Sequence, residues 1–316
     1  MEKSQWGSKI GFILASAGSA IGLGAVWKFP YMTAANGGGS FLLVFLIATL
    51  LIGFPLLLAE FTLGRAAGVS AIKTFGKLGG LRLYDGIGWI GAFALFILLS
   101  FYSVIGGWVL VYLGIAIAKA FQVGISSDYT QLFTDIISNP WIALGAQALF
   151  ILLNIIIVSQ GVQNGIERAS KIMMPLLFII FIIIIIRSLT LPNAMAGVTY
   201  FLKPDFFKVT TSVILFALGQ SFFALSIGVT AMLTYASYLN KKTDMVQSGI
   251  SVVLMNIAVS IMAGLAIFPA MSSFGMESEG GPSLLFIVLP QLFNNMAFGK
   301  LFYILFLILF LFATIT

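Results

Sequence analysis

The sequence predicts an all-α integral membrane protein, and three observations carry that prediction. Of the 316 residues, 60% are apolar and only 8% are charged, whereas a soluble globular protein carries about 25% charged residues. The mean hydropathy is +1.11, and several apolar runs exceed the roughly 18 residues that a helix needs to cross a bilayer. These runs are continuous, so they lack the alternating pattern of an outer-membrane β-barrel.

Eight apolar segments are predicted to span the membrane, with ends accurate to about two to four residues. They are residues 10–34, 39–65, 87–120, 140–158, 167–188, 210–239, 245–271 and 298–316. The last run reaches Thr316 without a charged or polar tail. This favours either a fragment of a longer protein or a naturally truncated product.

Basic residues indicate how the chain is oriented. Ten of the sixteen Lys and Arg residues fall in the N-terminus and in alternate loops: Lys3, Lys9, Arg65, Lys73, Lys77, Arg82, Arg168, Lys171, Lys241 and Lys242. Because cytoplasmic loops are enriched in Lys and Arg, the N-terminus is predicted to be cytoplasmic in a multi-pass protein of the plasma (inner) membrane. The net charge of +6 follows from this topology, so a nucleic-acid partner has no support.

The loops follow from this orientation. Loop 66–86 is short and basic and is predicted to be cytoplasmic, while loops 121–139 and 189–209 are predicted to be extracellular. Segment 272–297 contains the polar run ESEGGPS and then an apolar run that is too short to span. Its composition is typical of a surface loop, and the alternative is a helical hairpin that dips back over the extracellular side.

Two residue types that carry much of enzyme chemistry are missing. The chain has no Cys and no His, which excludes disulfides, thiolate chemistry, and catalysis or proton relays through imidazole. The predicted spans also contain no pair of carboxylates that could serve as general acid and base. We therefore expect neither an enzyme nor an organic cofactor.

The first predicted span cannot remain a regular helix throughout its length. Four glycines interrupt it at Gly11, Gly18, Gly22 and Gly24, and each weakens a helix interior by roughly 1 kcal/mol relative to Ala. Unwound backbone at membrane depth is tolerated only where it lines a protein-enclosed or water-filled cavity. Residues 19–24 are therefore the predicted place where an ion or a substrate meets the backbone.

The span 210–239 is interrupted in a similar way. Gly219 and Gln220 precede a second group formed by Ser226 and Gly228. Glycine-interrupted helices in corresponding positions of two halves are the sequence pattern of a secondary-transporter binding site. The alternative is that small residues only allow close packing between helices. The occurrence of two such helices with clustered Ser and Gln favours the site.

At these positions the sequence resembles a known family. The run WGSKIGFILASAGSAIGLGAVWKFPYMTAANGGGSF, residues 6–41, is similar to the first helix of the neurotransmitter:sodium symporters, and in particular to bacterial amino-acid transporters of the leucine-transporter type. The similarity extends over the whole chain. It continues through Gly53-Phe54-Pro55, Gly165-Ile166-Glu167-Arg168, Gly219-Gln220-Ser221-Phe222-Phe223 and Thr234-Tyr235-Ala236-Ser237-Tyr238.

The resemblance implies an inverted-repeat transporter fold with broken helices 1 and 6, and about eight of the roughly eleven or twelve helices are present. Residues 1–188 would form the first five-helix repeat, with the break in helix 1 given above. Residues 189–209 would be an extracellular loop, and residues 210–316 would form helices 6, 7 and part of 8 of an incomplete second repeat. Helix 6 would be broken near 225–229, and residues 272–297 would form an extracellular hairpin.

The second sodium site of the family is compatible with every residue present. Na⁺ prefers hard oxygen ligands, and unwound backbone supplies them without a charged side chain. The site would use the carbonyl groups of Gly18, Ile21 and Ala313 together with the hydroxyl of Thr316. Without the motif, Thr316 is more typical of a helical hydroxyl that bonds to its own backbone.

The first sodium site of the family is weakened in this chain. Ala25 stands where the family has Asn, and Ala224 stands where it has Thr or Ser. A methyl group cannot coordinate a cation, so only Asn256 and the carbonyl of Ala20 remain. Ser260 offers no carboxylate in compensation. We therefore expect one sodium ion per transport cycle.

The resemblance further implies that the substrate is an α-amino acid. Amine transporters of the family place an Asp where this chain has Gly22, so a substrate with its own carboxylate is favoured. Backbone N–H groups at a broken helix suit that carboxylate. Tyr102 matches the tyrosine of the family whose hydroxyl reaches the substrate carboxylate. The alternative is that Tyr102 only packs against its neighbours. The implied substrate residues are Ala20, Gly22, Gly24, Leu98, Tyr102, Phe223, Ser226 and Val229.

Within this set, the carbonyls of Ala20, Phe223 and Ser226 would receive the ammonium group. The side-chain pocket would include Leu98, Phe223 and Val229, which are all apolar. Val229 replaces a Phe found in some relatives and leaves more volume. We therefore expect neutral, apolar substrates with branched or aromatic side chains.

Chloride is not expected to be required. Gln220, Asn256 and Ser260 resemble part of the chloride site of the family. However, Phe45 replaces its Tyr and Ala224 replaces its Ser, so two donors are lost.

The gates are also implied by resemblance. Lys28 would belong to an extracellular gate whose Asp partner is not in this chain, and the alternative is snorkelling to the outer interface. Phe223 would be a lid over the substrate, and Glu60 would face the bundle near the break of helix 1. The inner gate would involve Lys3, Trp6, Ser237 and Tyr238.

Together these expectations favour a sodium-coupled symporter of neutral apolar amino acids that works by alternating access. Its partners would be a small amino acid, sodium and the lipid bilayer. A truncated, non-transporting membrane fragment is one alternative. A proton-coupled or uncoupled amino-acid carrier is another, although Glu60 is the only carboxylate well inside a predicted span.

Overall fold

A computed structural model describes residues 5–120, 128–275 and 283–315, and every regular element within them is a helix. This confirms the predicted all-α class. We number thirteen helices in chain order, some of which contain a π or 3₁₀ turn. They are α1 Lys9–Ala35, α2 Gly39–Ala67, α3 Ala71–Gly79, α4 Arg82–Ala120, α5 Tyr129–Ser138, α6 Pro140–Ser159, α7 Val162–Leu189, α8 Ala194–Leu202, α9 Thr211–Ala224, α10 Ala231–Ala236, α11 Met245–Phe274, α12 Leu284–Asn294 and α13 Gly299–Ile315.

Six helices in the described ranges, α1, α2, α4, α6, α7 and α11, are long and apolar enough to cross a membrane. The predicted span 210–239 is divided between α9 and the short helix α10. The predicted span 298–316 corresponds to α13, which has 17 residues from Gly299 to Ile315. The predicted spans therefore coincide with helices throughout, and one of them is split.

Side-chain caps fix several helix starts, because the first N–H groups of a helix have no partner within it. The Ser8 hydroxyl accepts from the Gly11 N–H at the start of α1. Asn139 caps α6 just before Pro140, and Asp244 caps α11 through the Gln247 N–H.

Helix α1 lies at the centre of the bundle. In its most apolar stretch 78% of residues are buried, whereas in α6 only 11% are buried. It contacts α2, α7, α9, α10, α11 and α13. A helix enclosed in this way is shielded from lipid, so its irregular backbone can be tolerated at membrane depth.

The interruption in α1 is shorter than predicted. We expected unwinding over residues 19–24, but only Gly22 leaves helical geometry, with φ 20° and ψ −149°, and a π turn follows it. The Leu23 N–H then donates to the Tyr102 hydroxyl at 2.7 Å. One side-chain partner satisfies the backbone at the kink, so the helix resumes at once.

The interruption between α9 and α10 is a true gap in the helix. It covers residues 225–230, close to the predicted 225–229, and Ser226, Gly228 and Thr230 all have positive φ. Positive φ is strained for residues other than Gly and is maintained only by surrounding structure.

The segments between spans contain short helices. Loop 121–139 includes α5, and loop 189–209 includes α8. Of the segment 272–297, residues 276–282 lie outside the described part of the chain. The remainder includes α12, which buries Leu284, Leu285 and Phe286.

Candidate functional site

Two adjoining cavities of about 220 and 200 Å³ lie at the two interruptions. They share the lining residues Ser19, Leu98, Tyr102, Ser226 and Val229. The structure brings all eight of the predicted substrate residues to these cavities: Ala20, Gly22, Gly24, Leu98, Tyr102, Phe223, Ser226 and Val229. Residues far apart in sequence therefore form one continuous lining.

The polar end of the cavities is built from backbone and hydroxyl groups. Tyr102 points its hydroxyl at the kink in α1, and the Ser226 hydroxyl donates to the Ser19 carbonyl at 3.0 Å. Among the residues that the structure describes, neither cavity is lined by Asp, Glu, Lys or Arg. The lining thus offers partial charges of both signs without a net charge.

The apolar part of the lining is larger than the sequence predicted. Leu95 and Leu99 join Leu98 on α4, while Phe222 and Ile227 join Phe223 and Val229 around the second interruption. The spacing of these leucines in the sequence could have identified them as lining residues. Positions 95, 98, 99 and 102 share one helical face because they are three or four residues apart.

Lys28 and Phe223, two predicted gate residues, contact each other. The Lys28 Nζ atom lies 4.0 Å from the centre of the Phe223 ring, a cation–π contact. Phe223 also lines the larger cavity. The lysine therefore reaches over the predicted lid, whereas snorkelling was the alternative expectation.

The opposite end of α1 is closed by the N-terminal segment. The Trp6 indole Nε1–H donates to the Tyr235 carbonyl at 2.9 Å, and the Trp6 N–H donates to the Tyr238 carbonyl at 3.3 Å. Ser237, another predicted gate residue, is buried beside them. Lys3 lies outside the described residues.

Glu167 adds contacts that the gate prediction did not include. Its carboxylate accepts from the Gly7 N–H at 2.7 Å, from the Ser8 hydroxyl at 2.7 Å and from Lys171 at 2.6 Å. Lys9 also hydrogen-bonds to Gln247. The start of α1 is therefore attached to both α7 and α11. The sequence showed Glu167 only as part of a motif, since its partners Gly7 and Ser8 are about 160 residues away.

Glu60 lies at the second interruption. Its carboxylate accepts from the Gly228 N–H at 2.7 Å. We expected Glu60 to face the bundle near the break of helix 1, and the hydrogen bond that the structure shows is to the second interruption. A carboxylate can accept several N–H bonds, which is what an unwound segment requires.

The residues predicted for the second sodium site lie beside the kink in α1. Ile21 and Ala313 are buried, and a Cβ atom placed on Gly22 would lie 3.6 Å from the Ala313 carbonyl oxygen, so α13 reaches the kink. Thr316 lies outside the described residues. Within those residues no group of three His, Cys, Asp or Glu side chains could hold a metal. An ion here would depend on carbonyl and hydroxyl oxygens.

The residues of the first sodium site fit a cation poorly. Ala25 and Ala224 are fully buried methyl side chains. The Asn256 Nδ2 group donates to the Ala20 carbonyl at 3.1 Å and to the Ala224 carbonyl at 2.8 Å. These bonds join α11 to both interrupted helices, and the Asn256 Oδ1 atom is buried without a partner in the described chain.

The chloride residues are also near this amide. The Gln220 amide donates to the Gly24 carbonyl at 2.8 Å, and the Ser260 hydroxyl is buried without a partner in the described chain. Phe45 is fully buried and packs on Phe29 at 4.9 Å. Ser260 thus keeps its hydroxyl donor, whereas Phe45 and Ala224 have apolar side chains in place of the donors of the family.

Comparison with known proteins agrees with this architecture. The Sodium:neurotransmitter symporter family matches residues 3–127 and 137–316. A sodium-dependent transporter of Bacillus subtilis is 52% identical over 313 residues, which are 99% of this chain and 69% of that protein. A sodium-dependent transporter of Haemophilus influenzae is 39% identical, with 100% and 71% covered.

A solved structure and a more distant relative extend the comparison. The crystal structure of MhsT in complex with L-phenylalanine superposes with a TM-score of 0.91 at 42% identity, covering 99% of this chain and 71% of that one. The sodium-dependent dopamine transporter of Caenorhabditis elegans is 26% identical, with 97% and 60% covered. The chain is therefore an integral membrane protein that belongs to the sodium:neurotransmitter symporter family.

Proposed function

We propose that this chain is a sodium-coupled symporter of neutral, apolar α-amino acids. The observation that carries the proposal is the convergence of both interruptions on cavities whose described lining residues carry no charge. A zwitterionic amino acid with an apolar side chain matches such a lining. The structural similarity to MhsT, which was crystallised with L-phenylalanine, supports the same substrate class.

Each part of the substrate has a proposed partner. The carboxylate is placed at the Tyr102 hydroxyl and the backbone N–H groups of the kink, because helix N-termini favour anions. The ammonium group is placed at backbone carbonyls of Ala20, Phe223 and Ser226. The side chain lies among Leu98, Phe223 and Val229.

Alternating access would use the two contact groups at either end of α1. Lys28 on Phe223 covers one end of the site, and Trp6 on α10 closes the other. Release on the N-terminal side requires the Trp6 and Glu167 contacts to separate. Sodium and substrate can favour one of these two conformations only if they bind it more tightly than they bind the other.

We propose one sodium ion per cycle, bound at the second site. Sodium would bring the carbonyls of α1 and α13 together there. The buried methyl side chains of Ala25 and Ala224 support this count, because neither can coordinate a cation. One sodium with a zwitterion moves one positive charge per substrate.

The experiment is uptake into proteoliposomes. A sodium gradient should drive accumulation of leucine, phenylalanine or tryptophan, and replacement of sodium by choline should abolish it. Tyr102→Phe should reduce uptake by roughly tenfold or more. The matched control is Tyr112→Phe, also in α4, whose buried hydroxyl has no hydrogen-bond partner among the described residues.

Two outcomes would overturn these proposals separately. Uptake that is independent of sodium across a panel of amino acids would contradict the symporter and favour the uncoupled or proton-coupled carrier. A charge-to-substrate ratio near two would contradict the single sodium ion while leaving the substrate class intact.

A further inference from the structure

A third cavity, of about 30 Å³, lies where the end of α4 meets α5, α12 and α13. It is on the predicted extracellular side, and within the described part of the chain it shares no lining residue with the two cavities at the interruptions. Its polar lining residues are Lys119, Tyr129, Asn294, Lys300 and Tyr303. The cavity is thus remote from the proposed substrate.

Positive charge is concentrated around this cavity. The Lys300 Nζ atom donates to the Lys119 carbonyl at 3.2 Å, and the Lys119 Nζ atom lies 4.3 Å from the centre of the Tyr129 ring. Two neighbouring ammonium groups repel each other, and the N-terminus of α13 adds partial positive charge at Gly299. This accumulation stands on the side of the membrane where Lys is less frequent.

The buried hydroxyl of Tyr303 indicates which type of ligand suits the cavity. Tyr303 is 6% exposed, and its hydroxyl has no hydrogen-bond partner within the described chain. A buried hydroxyl without a partner is unfavourable, and a phenol can donate one proton to an acceptor. The cavity therefore combines a phenol donor with ammonium donors.

We propose that this cavity binds one small monovalent anion of the halide class, held by the Lys300 ammonium and the Tyr303 hydroxyl. The volume exceeds the roughly 10–15 Å³ of probe-sized space that one water molecule requires, so the cavity has room for a monoatomic anion. An anion satisfies the phenol and lies beside the Lys300 ammonium group. It would fasten the start of α13 to the end of α4.

The test measures the Tm of the purified chain in sodium chloride and in sodium gluconate at equal sodium concentration. Chloride should raise the Tm of the native protein saturably. Lys300→Gln and Tyr303→Phe should each weaken the apparent chloride affinity at least tenfold. Lys203→Gln, an exposed lysine on the same predicted side, is the control and should respond like the native protein.

The Tyr303→Phe variant separates anion binding from misfolding. It keeps the ring packing on Phe293 and removes only the unpartnered hydroxyl. Its Tm in gluconate should equal or exceed that of the native protein. In crystals grown with bromide, anomalous density should appear between Lys300 and Tyr303.

Three results would overturn the proposal. One is no chloride effect on the native Tm, which is the outcome expected for a water molecule. Another is an unchanged chloride response in both variants. The third is a response lost in Ser260→Ala but kept in Lys300→Gln, which would place the anion beside Gln220 and Asn256. None of these measurements involves uptake, so the transport proposal is tested independently.

Discussion

In α1 the helix continues past Gly22 after a single non-helical residue, whereas α9 and α10 are separated by the non-helical residues 225–230. The first interruption lies in a helix that is largely buried by its neighbours, and it is completed by one bond to Tyr102. The second is held by side chains that reach it from elsewhere, chiefly Glu60. A kink fixed by sterics and a gap fixed by a few polar bonds should respond differently to mutation.

The largest effect is expected at the kink in α1. In Gly22→Ala the new Cβ would lie 2.4 Å from the Tyr102 hydroxyl, at a φ of 20°. We expect a loss of about 3 kcal/mol in substrate binding, which is roughly a hundredfold in affinity. Sodium-dependent binding of radiolabelled leucine measures this change.

The matched control is Gly114→Ala in α4, where a new Cβ would meet no atom within 4 Å. It should bind normally, because Ala favours a helix over Gly. Normal binding by Gly22→Ala would show that the kink does not need a glycine.

A smaller effect is expected at the gap between α9 and α10. Glu60→Ala removes the acceptor of the Gly228 N–H, and a hydrogen bond to a charged group contributes about 1.5–3 kcal/mol. Uptake should fall by roughly ten- to a hundredfold. Glu60→Gln retains an acceptor oxygen and should keep more activity, so equal losses in both variants would contradict a role through this bond.

Asn256 connects the two interruptions and tests whether they act together. Asn256→Ala leaves the Ala20 and Ala224 carbonyls without their shared donor, which should cost about 1–3 kcal/mol of stability. The Tm in detergent measures the loss. Asn154→Ala removes an amide that bonds within its own helix, to the Phe150 carbonyl, and should lower the Tm less. The reverse order would contradict the linking role.

The smallest effect is expected at Lys28. Lys28→Met loses the cation–π contact with Phe223, which contributes about 0.5–1 kcal/mol at a partly exposed site. Substrate affinity should fall by roughly two- to fivefold. Lys28→Arg preserves the contact and should be close to the native protein. A similar loss with Arg would indicate that charge over the ring is not what matters.

Much of the site was predictable because its residues share a local signature. Gly22 and Gly24 stand in a glycine-rich apolar run, and Tyr102 and Leu98 match a family motif. Leu95 and Leu99 were missed although they lie on the same helical face. Glu167 was missed as an N-terminal anchor because no local pattern relates it to Gly7 and Ser8.

The sequence by itself determined the membrane class, the position of the spans and the family, because apolar length, Lys and Arg placement and the first-helix motif are local properties. Only the tertiary structure decided that the break in α1 contracts to Gly22, that Glu60 serves the second interruption, and that the Asn256 N–H groups donate to the Ala20 and Ala224 carbonyls. Each of these depends on bonds between residues that are far apart in the chain. A buried polar group forms hydrogen bonds with the partners that packing brings within reach, and no local sequence pattern specifies that packing.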